Sequence, residues 1–396
     1  MLLRKGLRFR LNPTEGQKQL FAQFAGASRF LYNRGLQQRK TAYEKEGKSP
    51  SYFEQNNELV SLKKEEKTTW LKEVHSQVLQ QALKNLDRGF QNFFQNVKTG
   101  KKPGFPRFKC KGVRDSFRYP QGVKIDEKRV YLPKIGWVKF RKSREIEGQI
   151  KQTTIIREAD HWYVSFSTEY QVPDRLPPPL AEEKAVGIDV GLKRFATLAS
   201  GCENRATYIP NPRFFTEQLP RLRVLSRRLS KKVKNSKNWL KAKKQLAKLH
   251  AKIRHCREDF VHQLSRVIVK SHDIICVEGL NIANLLEKSK RSLSRAIADA
   301  SWRLFLTCLE YKAKEQGKYF VETGKFFPST QICSGCWARQ KMSLADRQYE
   351  CPKCFLSIER DLNSAIVEKA AGMSVLKARG ATLRLKGSVE AGILRL

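Results

Sequence analysis

Residues 185–192 read Ala-Val-Gly-Ile-Asp-Val-Gly-Leu, an apolar run that contains a single acid, Asp189. A second apolar run, Ile274-Ile-Cys-Val-Glu-Gly-Leu, has an acid at the corresponding place, Glu278. Short apolar runs that are bounded by glycine are typical of buried strands. A third acid, Asp361, begins a segment with helical spacing further along the chain. The sequence thus predicts three acids at the ends of separate elements.

These three carboxylates together predict a site for Mg²⁺ or Mn²⁺, because both ions prefer oxygen ligands. Hydrolysis of a phosphodiester can use two such ions bridged by Asp and Glu. Each acid also has an ordinary explanation: Asp189 could close the turn before Gly191, and Asp361 could cap its helix. The order strand–Asp, strand–Glu, Asp–helix is similar to the RNase H-like nuclease core, which favours an α/β fold with a nuclease site.

Four cysteines form two pairs in the order C-x₂-C-x₁₄-C-x₂-C: Cys333, Cys336, Cys351 and Cys354. Two tight turns that each present two thiolates complete a tetrahedral site that suits Zn²⁺. A pair of redox dithiols is the alternative. The residue after the second cysteine of each pair is often glycine, but here it is Trp337 or Phe355. We therefore expect less regular turns, and aromatic rings that pack over the ion or over a nucleic acid.

The chain has 396 residues and a formal net charge of +40, from 78 Lys and Arg against 38 Asp and Glu. Such a charge predicts a polyanionic partner. Residues 221–257 contain no acid at all, and apolar residues at helical spacing predict a helical pair over residues 216–260 that contacts nucleic-acid backbone. No apolar run is long enough for a transmembrane helix, and the first residues lack a signal-peptide centre, so we expect a cytosolic protein without a membrane partner.

The first half of the chain predicts a basic strand over residues 4–10, helices from Thr14 and over residues 76–97, and short strands over residues 116–170. These strands predict a small β-barrel that closes with residues 3–10. In the basic loop of residues 98–114, Phe105 and Phe108 suit either base stacking or anchoring of the loop to the core. The prolines at 173 and 177–179 predict a stiff linker between domains.

Motifs along nearly the whole chain occur in a specific order. They are Arg8-Phe-Arg-Leu-Asn-Pro-Thr, Gly104-Phe-Pro-Arg-Phe-Lys, Gly187-Ile-Asp-Val-Gly, Val277-Glu-Gly-Leu, Pro328-Ser-Thr-Gln-Ile-Cys-Ser-Gly-Cys, Cys351-Pro-Lys-Cys and Arg360-Asp-Leu-Asn-Ser-Ala. In these motifs the chain resembles TnpB, the family of OrfB-type "transposases" of bacterial insertion sequences, which are RNA-guided RuvC-like nucleases related to type V CRISPR effectors.

The resemblance implies a RuvC-type catalytic triad of Asp189, Glu278 and Asp361 that uses Mg²⁺ or Mn²⁺. It implies zinc on the four cysteines, a guide RNA from the transposon end, double- and single-stranded target DNA, and a monomeric ribonucleoprotein that cleaves beside a short adjacent motif. Base pairing would read the target sequence, and the protein would read that motif. The chain departs from the family at Ile358 and Glu359, where His and Asp are frequent; we expect metal binding to survive, with altered local geometry.

The resemblance also implies a RuvC core with an inserted zinc ribbon, preceded by a helical recognition domain inserted in an OB-like β-barrel. The implied boundaries are 1–11 and 116–180 for the wedge barrel and its linker, 12–115 for the recognition domain, 181–329 and 357–371 for the RuvC-like domain, 330–356 for the zinc module, and 372–396 for a basic, flexible tail.

Two other functions remain open at this point. The chain could be a guided DNA-binding regulator that does not cut, or an unguided RuvC-like nuclease that recognises a DNA structure such as a four-way junction. The sequence has neither a Walker A loop nor an HxH pair, which disfavours ATP hydrolysis and HUH-type transposition.

Overall fold

A computed structural model of the chain describes residues 2–112, 115–171, 177–325, 327–343 and 346–385. The chain divides into two compact units, Met1–Val172 and Pro173–Leu396. Among the described residues, no helix is long and apolar enough to span a membrane.

The helices of the first unit follow the predicted pattern. Thr14 caps the first helix: its side chain accepts from the backbone N–H of Gln17, whose side chain accepts in turn from the backbone of Thr14. The helix ends at Gly47, which adopts a left-handed conformation. The helices are α1 (Glu15–Glu46), α2 (Tyr52–Leu62), a 3₁₀ segment (Glu66–Glu73) and α3 (Ser76–Lys98).

The strands of the first unit form one seven-stranded sheet. They are β1 (Leu2–Asn12), β2 (Ser116–Tyr119), β3 (Lys124–Asp126), β4 (Arg129–Leu132), β5 (Gly136–Phe140), β6 (Gln149–Glu158) and β7 (His161–Gln171), in the order β2-β6-β7-β1-β5-β4-β3. The N-terminal strand β1 joins the two halves of this sheet, because it pairs antiparallel with β7 on one side and with β5 on the other. In the described part of the chain no ladder joins the edge strands β2 and β3, so closure into a barrel stays a prediction.

Aromatic side chains join these helices to the sheet. Phe21 of α1 contacts Trp162 of β7 at a centroid distance of 5.2 Å, and Phe24 contacts Phe117 of β2 at 5.3 Å. All four rings are buried. Helices and sheet of this unit therefore share one hydrophobic core.

The second unit contains a five-stranded mixed sheet in the order β10-β9-β8-β11-β12. The strands are β8 (Ala185–Val190), β9 (Arg194–Ser200), β10 (Arg205–Pro210), β11 (Ile274–Val277) and β12 (Tyr319–Glu322). β8, β9 and β10 are antiparallel neighbours, whereas β8, β11 and β12 run parallel. Both predicted apolar runs are thus adjacent parallel strands in the middle of the sheet.

The helices of this unit are α4 (Phe214–Ser230), α5 (Lys237–Ser271), α6 (Ile282–Lys288), α7 (Arg291–Ala300), α8 (Trp302–Glu315) and α9 (Arg360–Leu385). Short 3₁₀ segments span Glu182–Lys184 and Ser329–Gln331, and a small hairpin consists of β13 (Gln348–Glu350) and β14 (Ser357–Glu359). The predicted basic pair of residues 216–260 corresponds to α4 and α5, and α5 extends beyond it to Ser271.

The two faces of this sheet are covered by different helices. Val186 and Ile188 of β8 belong to a core that includes residues of α5 and α8. Ala185 of β8 and Cys276 of β11 belong instead to a core with Met373 of α9. Because side chains alternate along a strand, Asp189 and Glu278 point to the α9 face, as Ala185 and Cys276 do.

The prediction of a flexible tail from residue 372 is wrong for the described part of that segment. Helix α9 continues to Leu385, and Met373 and Leu376 are buried. Gly372 does not end the helix: a Cβ there would lie 2.3 Å from Sγ of Cys276, so glycine permits close contact with β11. The three-residue spacing of Met373 and Leu376 continues the apolar stripe of the helix. The predicted tail of residues 386–396 lies outside the described residues.

Candidate metal centres

Two of the predicted acids lie at the same end of neighbouring strands. Ile188 of β8 pairs with Val277 of β11, so Asp189 and Glu278 are the next residues along each strand. In a parallel ladder such residues lie side by side and point to the same face. Asp189 is buried and Glu278 is half-buried.

Helix α9 brings the third acid to this end of the sheet. Asp361 lies in the first turn of α9, and the helix contacts β8 so closely that a Cβ on Gly187 would lie 1.9 Å from the carbonyl oxygen of Ala365. One turn after Asp361, the hydroxyl of Ser364 lies 3.3 Å from Oδ1 of Asp189. The close backbone contact explains why glycine at 187 is required within the strand.

The pKa values of Asp189 and Glu278 reflect burial and neighbouring negative charges. Burial raises the pKa of Asp189 well above its usual value, and the charges of Glu278 and Asp361 raise it further. Burial also raises the pKa of Glu278 to about 7, with a further contribution from Glu368. Repulsion of this kind is relieved by a cation, and the all-oxygen donor set fits Mg²⁺ or Mn²⁺. The structure therefore places Glu278 and Asp361 near enough to Asp189 for their charges to act on it. Metal binding by these three acids and their catalytic roles stay predictions.

A fourth acid, Glu368, was not predicted from the sequence. It is fully buried on α9, its Oε2 accepts a 2.6 Å hydrogen bond from the hydroxyl of Thr323, and burial raises its pKa. Glu368 follows Asp361 by seven residues, two helical turns, so both lie on the same face of α9. This spacing could have placed Glu368 beside Asp361 from the sequence alone. It is a weak signal, because acids in a helix are usually exposed to solvent.

Glu359, at a position where the chain departs from the family pattern, has a different environment. Arg194 of β9 donates to Oε1 of Glu359 at 2.6 Å and stacks 3.8 Å above the ring of Tyr208. Although burial opposes the shift, hydrogen bonds from Arg194 and Tyr208 lower the pKa of Glu359. Glu359 thus connects β14 to β9 through an ion pair with Arg194, and to β10 through a hydrogen bond with Tyr208.

The four predicted cysteines form a compact thiol cluster. Their sulfur atoms all lie within 4.8 Å of one another, with 3.5 Å between Cys333 and Cys354 and between Cys336 and Cys351. Backbone N–H groups of Cys354 and Lys353 help to lower the pKa of Cys351 to about 6, which favours the thiolate. Four converging sulfur donors fit tetrahedral Zn²⁺. Among the described residues, no other group of three or more potential ligands converges as tightly.

The turns of this cluster are more regular than expected. Trp337 and Phe355 adopt left-handed conformations, with φ of 61° and 60°, and their backbone N–H groups donate to the carbonyls of Cys333 and Cys351. Trp337 is 50% exposed and Phe355 is 86% exposed, so the Phe355 ring lies largely in solvent and the Trp337 ring is half exposed. The aromatic residues therefore take up the backbone conformation that glycine would adopt more easily.

Basic residues are concentrated on the helical pair α4 and α5. An open cavity of ≈ 490 Å³ lies between these helices and is lined by Arg221, Arg228, Lys248 and Lys252 among others. Leu222, Leu249 and Ile253 form the buried seam beneath it. Such a concentration of cations on one surface suits contact with a phosphate backbone.

The aromatic residues of the basic loop in the first unit are partly explained by packing. Phe105 contacts Phe90 and Phe93 of α3 edge-on, at centroid distances of 5.5 and 5.4 Å. Phe105 and Phe108 nevertheless remain about half exposed. Anchoring therefore accounts for Phe105 in part, and base stacking stays a prediction.

Three family models match successive parts of the chain. Residues 165–289 match a "Probable transposase" model, residues 302–367 match "Cas12f1-like, TNB domain", and residues 1–48 match "Helix-turn-helix domain". The structure of residues 2–48 differs from the last description, because strand β1 is followed by the single 32-residue helix α1.

Relatives match almost the whole chain. An Escherichia coli (strain K12) protein named "Putative RNA-guided DNA endonuclease InsQ" is 34% identical over 388 residues, covering 94% of this chain and 93% of the relative. A Streptomyces pristinaespiralis protein named "Putative RNA-guided DNA endonuclease" is 32% identical over 384 residues, covering 94% and 90%. A Cas12f1 chain solved by cryo-EM in complex with sgRNA and target DNA is similar in fold, with a TM-score of 0.54, 14% identity, and coverage of 93% and 99%. The chain therefore belongs to the TnpB family, the OrfB-type proteins of insertion sequences.

Proposed function

We propose that this protein is an RNA-guided DNA endonuclease that hydrolyses target DNA at Asp189, Glu278 and Asp361. The observation that carries the proposal is that Asp189 and Glu278 lie side by side at the end of β8 and β11, and that the charges of Glu278 and Asp361 both act on Asp189. The names of the full-length relatives and the fold shared with a guide-RNA-bound chain support it.

The acidic side chains would act as ligands beside the reacting phosphate. Bound divalent ions would activate the attacking water and stabilise the leaving oxygen. Asp189, Glu278 and Asp361 would hold these ions through their carboxylate oxygens. The Ser364 hydroxyl, 3.3 Å from Oδ1 of Asp189, would fix the orientation of that carboxylate.

The zinc module and the basic helices would bind nucleic acid. The thiol cluster would stabilise the hairpin β13–β14, which continues directly into α9. The cations between α4 and α5 would contact the backbone of the guide–target duplex, whose sequence is read by base pairing. Recognition of a motif beside the target is part of the proposal, although no particular residue is assigned to it.

The decisive experiment replaces Asp189 by Asn. The protein is purified with its RNA, the RNA is sequenced, and cleavage of a DNA that matches the guide is measured in Mg²⁺. We expect Asp189→Asn to bind RNA and DNA normally and to cleave at least about 10³-fold more slowly, because a ligand of the catalytic ions is removed. Cleavage at the wild-type rate would overturn the assignment.

The same preparation separates the two alternative functions. A guided regulator would bind the matching DNA and leave it intact in Mg²⁺. A structure-specific nuclease would cut four-way junctions without RNA. The retention of all three acids at one end of the sheet favours cleavage over simple binding.

A further inference from the structure

The zinc module is attached to helix α9 two residues after Asp361. Asn363 is fully buried there, and its side-chain amide makes two hydrogen bonds. Nδ2 donates to the carbonyl of Ile332 at 2.7 Å, and Oδ1 accepts from the backbone N–H of Ser334 at 2.9 Å. Ile332 and Ser334 flank Cys333, so one amide holds the backbone on both sides of a zinc thiol.

The next residue of the helix, Ser364, contacts Asp189. The Ser364 hydroxyl lies 2.9 Å from that of Ser329, where the chain enters the zinc module, and 3.3 Å from Oδ1 of Asp189. Ser364 and Ser329 are both buried. A single turn of α9 therefore contains Asp361, the contact with the zinc module through Asn363, and the contact with Asp189 through Ser364.

We propose that Asn363 is a positioning residue. It makes the geometry of the acid cluster, Asp189, Glu278 and Asp361, depend on the folded state of the first zinc knuckle, the turn that holds Cys333 and Cys336. This inference rests on the proposed role of Asp361 as a metal ligand. Its basis is the pair of hydrogen bonds that Asn363 makes to the knuckle backbone.

Loss of zinc would release the backbone around Cys333 from its thiol anchor. The hydrogen bonds from the buried Asn363 amide to Ile332 and Ser334 would then be weakened. Buried polar groups without partners are destabilising. The first turn of α9 would shift, together with Asp361 and Ser364. Loss of partners that orient metal ligands typically lowers metal affinity by 10- to 100-fold, so we expect a decrease of about 10-fold.

The first test measures Mn²⁺ binding to the full-length protein by electron paramagnetic resonance, without nucleic acid. Asn363→Ala is expected to retain its zinc and to bind Mn²⁺ about 10-fold more weakly than wild type. The matched control is Asn33→Ala: Asn33 makes the same double bridge, to the N–H and carbonyl of Lys109 at 2.8 and 3.0 Å, in the other unit. Unchanged Mn²⁺ affinity in zinc-loaded Asn363→Ala would overturn the inference.

Should Asn363→Ala lose zinc or fail to fold, the wild-type protein decides the question. Its Mn²⁺ affinity is measured after zinc removal and again after addition of one equivalent of Zn²⁺. We expect a decrease of about 10-fold that Zn²⁺ reverses; an affinity that does not respond to zinc overturns the inference.

Asp361→Asn distinguishes this inference from the proposed function. If Asp361→Asn weakens Mn²⁺ binding and neither Asn363→Ala nor zinc removal does, only the positioning role fails. If Asp361→Asn also binds Mn²⁺ like wild type, the proposed ligand set itself is wrong.

Discussion

Individual carboxyl groups in the acid cluster are expected to make the stability of the metal-free protein depend on pH. The pKa of Glu278 is raised to about 7 from an ordinary 4.5, by burial and by Glu368. Between these pH values the folded chain binds more protons than the unfolded chain, so stability decreases as pH rises. A bound divalent cation would oppose this loss, because it takes the place of the protons.

The Glu278→Gln variant tests this linkage. Because Gln cannot titrate, the decrease in the free energy of unfolding between about pH 5 and pH 7 should be smaller than in the wild type by on the order of 2 kcal/mol. The raised pKa values of Asp189 and Glu368 account for the part of the decrease that remains. The measurement is denaturant unfolding across this range without added divalent ions. Glu287→Gln, at an exposed position on α6, is the control and should keep the wild-type slope. An unchanged slope in Glu278→Gln would contradict the prediction.

Trp337 provides a second test at the residue scale. Its φ of 61° is strained for a residue with a Cβ, and its ring is half exposed. We expect Trp337→Gly to be about 1 kcal/mol more stable than Trp337→Ala, since both remove the ring and only glycine relieves the strain. Denaturant unfolding and the rate of zinc release to a chelator would measure the difference. Equal values for the two variants would mean that the left-handed backbone carries no cost.

At the scale of elements, helix α9 is both part of the site and part of the core. Leu376 is buried against β8, β11 and β12 beyond the predicted end of the helix. Leu376→Ala should therefore lower the free energy of unfolding by about 2–4 kcal/mol, whereas Lys377→Ala at the exposed neighbouring position should change it little. If the two variants were equally stable, the C-terminal turns would not be packed on the sheet.

The central elements could be predicted from sequence because their signals are local. β8 and β11 are continuous apolar runs with an acid at the end, and the two cysteines of each pair are separated by two residues. The end of α9 could not be predicted from the sequence, because a glycine such as Gly372 usually marks the end of a helix. Only the structure shows that this glycine lies within the helix and permits close contact with Cys276. The burial of Glu368 depends on Thr323 and Ser329, which are distant in sequence.

At the scale of the whole molecule, the net charge of +40 should dominate nucleic-acid binding. Each phosphate neutralised releases counterions, so affinity should fall by about 10³-fold or more between roughly 50 and 200 mM salt. Filter binding or fluorescence anisotropy over this range would measure the slope of the logarithm of affinity against the logarithm of salt concentration. Arg228→Gln with Lys252→Gln, on the basic cavity of α4 and α5, should reduce the slope by about one for each phosphate that is no longer neutralised. An affinity that is independent of salt would contradict an electrostatic role for this charge.

The packing of α9 also limits how far the gene can be shortened. A truncation designed from sequence would stop before Gly372, where the composition suggests a dispensable tail. Such a protein would keep every acid and every cysteine of the two metal centres, yet it would lack Met373 and Leu376 and expose the underside of β11. The truncated protein would therefore be lost through aggregation or proteolysis rather than through defective chemistry, and shortened versions should retain the chain beyond Leu376.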